Sequence, residues 1–126
     1  VSLIKDKVRN KKALLLGLGF RPNVKEDALS TTYLLRDVLV RSGFQVLVHD
    51  VEFAEEEIKE KGFKATADIY EGDCEVVFLV TMHKEYHQLD FKRLSEKGVK
   101  YFIDGRNNID RSKVEAAGIE YLGIGR

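Results

Sequence analysis

Residues 76–80 read Val-Val-Phe-Leu-Val, an uncharged run rich in branched side chains and too short for a buried helix. A second apolar run, Lys-Ala-Leu-Leu-Leu at 12–16, stops at Gly17. Strands apolar on both faces belong in a parallel sheet with helices on each side. The stretches between them agree. Ser30 and Thr31 are candidate caps for a helix over 31–42, with Leu34, Leu35, Val38 and Leu39 as its apolar face and Gly43 as its stop. Residues 44–49 read as a strand, 53–61 as a solvated helix and 63–66 as a short strand. In the 53–61 helix, Phe53, Ala54 and Ile58 are expected to face inward. Glu55 to Lys59 and Glu57 to Lys61 form favourable i,i+4 pairs there. Residues 68–71 suit one helical turn and 85–96 carry a weak helical pattern. Residues 101–104 and 119–122 are strands, and Asp110 caps a helix that runs to Ala117 and stops at Gly118.

This alternation predicts an α/β fold, a Rossmann-like three-layer sandwich around a mainly parallel sheet of five or six strands in the order 3-2-1-4-5-6. Residues 12–126 form the predicted domain. Residues 1–11, with Leu3, Ile4 and Val8 at helical spacing among basic residues, read as a linker or the end of an interdomain helix. The start at Val1, in mid-pattern, suggests a fragment of a longer protein.

Charge and cysteine content narrow the partners. Twenty-one basic and 21 acidic residues give a formal net charge of zero, which removes the main argument for a nucleic-acid or anionic-membrane binder. No apolar run approaches the roughly 18 residues of a membrane helix. The single cysteine, Cys74, excludes an internal disulfide framework and points to a reducing, cytoplasmic setting. Cys74 lies beside a buried strand without a histidine at motif spacing and reads as a packing residue rather than a nucleophile.

Ligands of open parallel sheets bind beyond the carboxyl ends of the strands, where strand order reverses. Three loops leave the predicted sheet at that edge: 17–29, 81–87 and 105–108. The first opens Gly17-Leu18-Gly19-Phe20-Arg21-Pro22, which begins like a dinucleotide fingerprint but carries Pro22 in place of the third glycine. Arg21 is a candidate for holding a phosphate through two parallel hydrogen bonds, or else pairs with Glu26 or Asp27. Lys25 is a weaker phosphate candidate in a charged run. Arg106 follows Asp104-Gly105 and precedes Asn107 and Asn108, a loop suited to a phosphate or a sugar. Asp104 there either orients Arg106 or closes the turn. His83 and His87 stand four apart without a third ligand, so no metal site is expected. His49 carries little information, and Asp50 occupies the place where a classical nucleotide-binding half holds a ribose.

Five blocks in order carry a specific resemblance: Leu14 to Asn23, Val48-His49-Asp50, Val76 to Thr81, Leu89-Asp90 and Phe102 to Asp110. Together with the tail Tyr121 to Arg126, they resemble the C-terminal, nucleotide-sugar-binding domain of the UDP-glucose/GDP-mannose dehydrogenase family. That resemblance implies an enzyme that oxidises a nucleotide-sugar alcohol at C6 to the uronate. It would consume two NAD+ and pass through a thioester on a cysteine of another domain. NAD would be held mainly by an N-terminal domain outside this chain, and the whole enzyme would be a homodimer or a higher homo-oligomer. The substrate would be a UDP-hexose or a UDP-N-acetylhexosamine. The resemblance places Arg21 and Arg106 near the diphosphate, with Phe20 and Asn23 lining the first loop. Where many members have Arg-Glu-Ser before the first helix, this chain has Ala28-Leu29-Ser30, leaving Lys25 as the candidate cofactor contact. His83 stands where a tryptophan is frequent. The chain alone is expected to lack dehydrogenase activity. Two other readings remain open: a freestanding nucleotide-binding or regulatory module, and an interaction domain that shares only the topology.

Overall fold

The computed structural model describes residues 11–17, 31–51, 53–60, 62–66, 68–70, 73–80, 84–105 and 109–123. Its strands are β1 (Lys12–Leu16), β2 (Gln45–His49), β3 (Lys64–Ala65), β4 (Val76–Leu79), β5 (Tyr101–Asp104) and β6 (Glu120–Gly123). Its helices are α1 (Thr31–Arg41), α2 (Glu55–Glu60), α3 (Phe91–Glu96) and α4 (Arg111–Ala116), with a 3-10 helix at Lys84–Gln88. The six strands form one sheet, ordered β3-β2-β1-β4-β5-β6, and every neighbouring pair is parallel. That is the expected Rossmann-like α/β sandwich, with six strands rather than five.

Alternation along each strand divides the apolar side chains between two layers. Ala13, Leu15, Val46, Val48, Val76 and Phe78 face one side and pack with Leu39 of α1 and Ile58 of α2. Leu14, Leu16, Val77, Leu79, Phe102 and Tyr121 face the other, with Phe91 and Leu94 of α3 and Val114 of α4. Phe91 meets Phe102 edge to face at 5.4 Å between ring centres.

All four helices return to the sheet through the same turn. After α1, Gly43 N–H donates to Val40 O and Phe44 N–H to Leu39 O, and Gly43 has φ of +92°. This is a Schellman ending, in which a glycine adopts the left-handed conformation and the next apolar residue drops into the core. Gly62-Phe63, Gly98-Val99 and Gly118-Ile119 repeat the bonds and the burial after α2, α3 and α4. At the other end of two helices, Asp90 Oδ1 accepts the Arg93 amide at 3.0 Å and Asp110 Oδ1 the Ser112 amide at 3.0 Å.

Four sequence expectations need correction. The apolar face of α1 is narrower than its spacing implies: Leu39 is buried, but Leu34 is 69% and Val38 41% exposed, because only one stripe of the helix meets the sheet. Helix α2 is shorter, with Ala54 exposed and its amide capped by Glu57 Oε1 at 3.1 Å; Lys61 lies outside the described residues. The stretch 85–96 is two helices, because Asp90 caps the second and thereby interrupts the first. Residues 68–70 form a turn closed by Tyr70 N–H donating to Asp68 Oδ1, and Glu71 falls outside the described residues. The expected linker falls outside them too, apart from Lys11.

Candidate functional site

At the carboxyl end of the sheet the parallel ladder continues one residue past four strands. Gly17 N–H donates to His49 O at 2.8 Å, Val80 N–H to Leu16 O at 2.9 Å, Gly105 N–H to Leu79 O at 3.0 Å and Thr66 N–H to Val48 O at 3.0 Å. Beyond those bonds the chain leaves the sheet. The loop after β1 and the loop after β5 depart on either side of β4, two strand spacings or about 10 Å apart. Three of the predicted loops therefore begin side by side.

Two clusters of polar side chains hold this edge. In the first, the wholly buried Asp104 ends β5, and its Oδ2 accepts the Ile109 amide and the Tyr121 hydroxyl, each at 2.8 Å. One carboxylate thus closes the loop 105–109 and ties it to β6. These contacts give Asp104 the turn-closing role open to it from sequence; Arg106, the partner in the other role, lies outside the described residues. Gly105 fits so closely that a Cβ there would lie 2.8 Å from Leu79 O, a contact no side chain tolerates without moving backbone. At the far end of the loop the Ser112 hydroxyl and amide both donate to Asp110 and hold its carboxyl below the usual range.

The second cluster lies over β1 and β2. The Tyr86 hydroxyl, from the 3-10 helix after β4, donates to His49 O at 3.1 Å and lies 3.0 Å from His49 Nδ1. The Tyr86 ring is almost fully buried. That burial raises its phenol above the ordinary value, and the negative charges of Asp50 and Glu85 add to the shift. Asp50, the candidate ribose holder, is itself only 5% exposed.

Phe20, Arg21, Asn23, Lys25 and Arg106 lie outside the described residues, as do Ala28 to Ser30 and His83. What the structure places is the ground they stand on: Gly17 before the first loop, and Gly105 and Ile109 on either side of the second. Tyr86, Tyr121 and the pairing role of His49 were not anticipated. The one signal for Tyr86 is an aromatic residue in a charged run directly after a buried strand, a side chain with an apolar body to bury and a hydroxyl to satisfy. Cys74 is buried in the core layer that also holds Phe91 and Val114, and burial pushes its thiol up to about 11, which suits packing and not nucleophilic chemistry. Among the described residues no three His, Cys, Asp or Glu side chains gather as metal ligands. A groove of about 290 Å³ lies at the opposite end of the sheet, beside Arg36, Phe44 and Phe63. There the Arg36 guanidinium is already engaged, donating to Gly62 O and stacking 4.7 Å from the Phe63 ring centre.

Known proteins resemble this chain in sequence and in fold. The chain is 30% identical over 123 residues to the UDP-glucose 6-dehydrogenase of Rhizobium meliloti (strain 1021), covering 94% of this chain and 28% of that protein. The NDP-N-acetyl-D-galactosaminuronic acid dehydrogenase of Methanosarcina mazei Go1 superposes with a TM-score of 0.77 at 22% identity, over 99% of this chain and 27% of that one. A UDP-glucose dehydrogenase from Pyrobaculum islandicum gives 0.72 at 24% identity, over 97% and 28%. These two likenesses establish the fold. The chain spans less than a third of the length of each of these relatives. Residues 14–111 match the UDP binding domain of the UDP-glucose/GDP-mannose dehydrogenase family, and the chain belongs to that family.

Proposed function

We propose that this chain is the C-terminal, substrate-binding part of an NAD-dependent nucleotide-sugar 6-dehydrogenase, acting on a UDP-hexose or a UDP-N-acetylhexosamine. Its task is to hold the nucleotide diphosphate. The observation that carries this reading is the adjacency of the loops after β1 and β5 at one edge of the sheet, in a chain whose matched family domain binds UDP. Arg21 is carried by the first loop and Arg106 by the second, and two guanidinium groups rising from starting points about 10 Å apart suit the two phosphates of one nucleotide. Phe20 and Asn23 line the same loop.

The chain's own residues fit a primary NAD site poorly. Pro22 stands in place of the third glycine of the fingerprint, and eight further residues pass before α1, whereas the fingerprint that cradles a pyrophosphate opens its helix almost at once. NAD is therefore assigned to the remainder of a family-length protein, with Lys25 as the one candidate contact from this side. The hydride acceptor and the thioester-forming cysteine both belong to that remainder, and the family-length enzyme is a homo-oligomer in this reading.

Calorimetric titration with UDP, UDP-glucose, UDP-N-acetylglucosamine and NAD+ tests the assignment. The three uridine ligands should bind and NAD+ should not saturate. Charge-assisted hydrogen bonds contribute about 1.5–3 kcal/mol, so Arg21→Ala and Arg106→Ala should each raise the Kd for UDP about tenfold or more. Absence of UDP binding, or a Kd that neither substitution moves, refutes the reading. NADH formation by this chain alone would refute the division of labour.

A further inference from the structure

Strand β1 lies between β2 and β4, so those two strands share no ladder. One side chain nevertheless joins their ends. Tyr86 follows β4 and reaches across the carboxyl end of β1 to His49, the last residue of β2, 37 positions earlier in sequence. The His49 carbonyl at that point also accepts the Gly17 amide at 2.8 Å. Gly17 has φ of +110° and is the last described residue before the loop bearing Phe20, Arg21, Asn23 and Lys25. A single carbonyl oxygen thus receives the first residue of that loop from one side and a buried phenol from the other.

The phenol's chemistry defines the geometry further. It carries one proton, and donating it to the carbonyl leaves the phenol oxygen to accept from Nδ1–H of the imidazole. The two contacts together fix the His49 ring as the Nδ1–H tautomer when neutral. They also hold the ring and the carbonyl of one residue against the same oxygen. The rings stand 5.8 Å apart at 55°, so contact is through the polar atoms and not by stacking.

We propose that Tyr86 is a positioning residue for the nucleotide-binding loop, its hydroxyl locking His49 so that Gly17 launches the loop in one direction. The proposal rests on the function assigned above to that loop. It predicts that the hydroxyl contributes to affinity without touching the ligand, through the fixed point at which the loop leaves the sheet.

Tyr86→Phe keeps the buried ring and deletes both hydrogen bonds. Three measurements on the variant decide the matter. Amide exchange at Gly17 should accelerate about fivefold to tenfold, the loss of roughly one hydrogen bond, while the remote Val99 and Ile119 amides keep their rates. Long-range nitrogen–proton spectra of His49 should move from the Nδ1–H pattern toward Nε2–H. The Kd for UDP should rise about fivefold. A folded variant with unchanged Gly17 exchange, or with faster exchange and an unchanged UDP Kd, overturns the positioning role. If the unsubstituted chain does not bind UDP, the function assigned above fails, and Gly17 exchange still judges whether the tie exists. Should Tyr86→Phe not fold, His49→Ala removes only the imidazole half of the tie and should raise the UDP Kd about twofold to threefold; no change there overturns the proposal.

Discussion

The two ends of the sheet are built by different means. At the amino end, backbone bonds join the approaches to four strands: Gln45 N–H to Lys11 O, Glu75 N–H to Lys12 O, Lys100 N–H to Glu75 O and Glu120 N–H to Lys100 O. The helices reach that end through two-residue glycine turns, and the side-chain contacts there, Arg36 to Gly62 O and Lys100 to Glu75, involve partly exposed cations. At the carboxyl end, buried side chains close the loops: Asp104 with Tyr121 and Ile109, and Tyr86 with His49. The strand-to-helix connections, such as that from β1 to α1, are longer than the helix-to-strand turns, and polar side chains supply fixed points at their described ends. That end is the one to which the proposed function assigns the ligand.

Asp104→Ala should break the contrast most severely. It strands the Ile109 amide and the Tyr121 hydroxyl in the interior, at a cost of about 3 kcal/mol. For a domain of this size that is a fall of roughly 10 °C in Tm, read by circular dichroism. Next in size is the burial of Cys74, just before β4 at the amino end. With its thiol raised from 9.0 to about 11, thiolate is scarce in the native state. Labelling by iodoacetamide at pH 8 should run about a hundredfold slower than in the urea-unfolded chain. The unfolded thiol ionises first, so native stability is full below pH 9 and declines as the pH rises toward 11, and the raised Tyr86 phenol adds to the decline. Urea midpoints at pH 7 and pH 10 measure it, and Cys74→Ala should lessen the drop.

Tyr121→Phe sharpens the account of Asp104 by leaving the Ile109 bond in place, and should cost about 1 kcal/mol in chemical denaturation. Lys100→Ala, at the amino end, deletes a 3.9 Å pair with Glu75 in which the lysine is more than half exposed. It should cost no more than about 0.5 kcal/mol. Equal effects of Asp104→Ala and Lys100→Ala would dissolve the distinction between the two ends.

Much of the scaffold is legible along the chain because its signals are local. Apolar runs rich in branched side chains give β1 and β4, and a glycine before an apolar residue marks each return to the sheet. An aspartate directly before Arg111 marks the start of α4. Local signals also mislead. Leu34 and Val38 have helical spacing, yet a helix lying on a sheet buries one stripe, and its neighbours decide which one. The pattern over 85–96 conceals a break because periodicity does not register a cap. Gly105 announces a turn in sequence, but its need to clear Leu79 O emerges only when β4 and β5 pair.

The amino-acid sequence by itself determined most of the elements, and their alternation pointed to the strand order and to the edge at which the loops gather. Backbone preference and apolar spacing act over a few residues and suffice for the elements. Only the tertiary structure decided that Tyr86 meets His49 across 37 residues and that Tyr121 meets Asp104 across 17. Such contacts depend on strand register and on which neighbour removes a hydroxyl from water, and neither is written in any short stretch of chain.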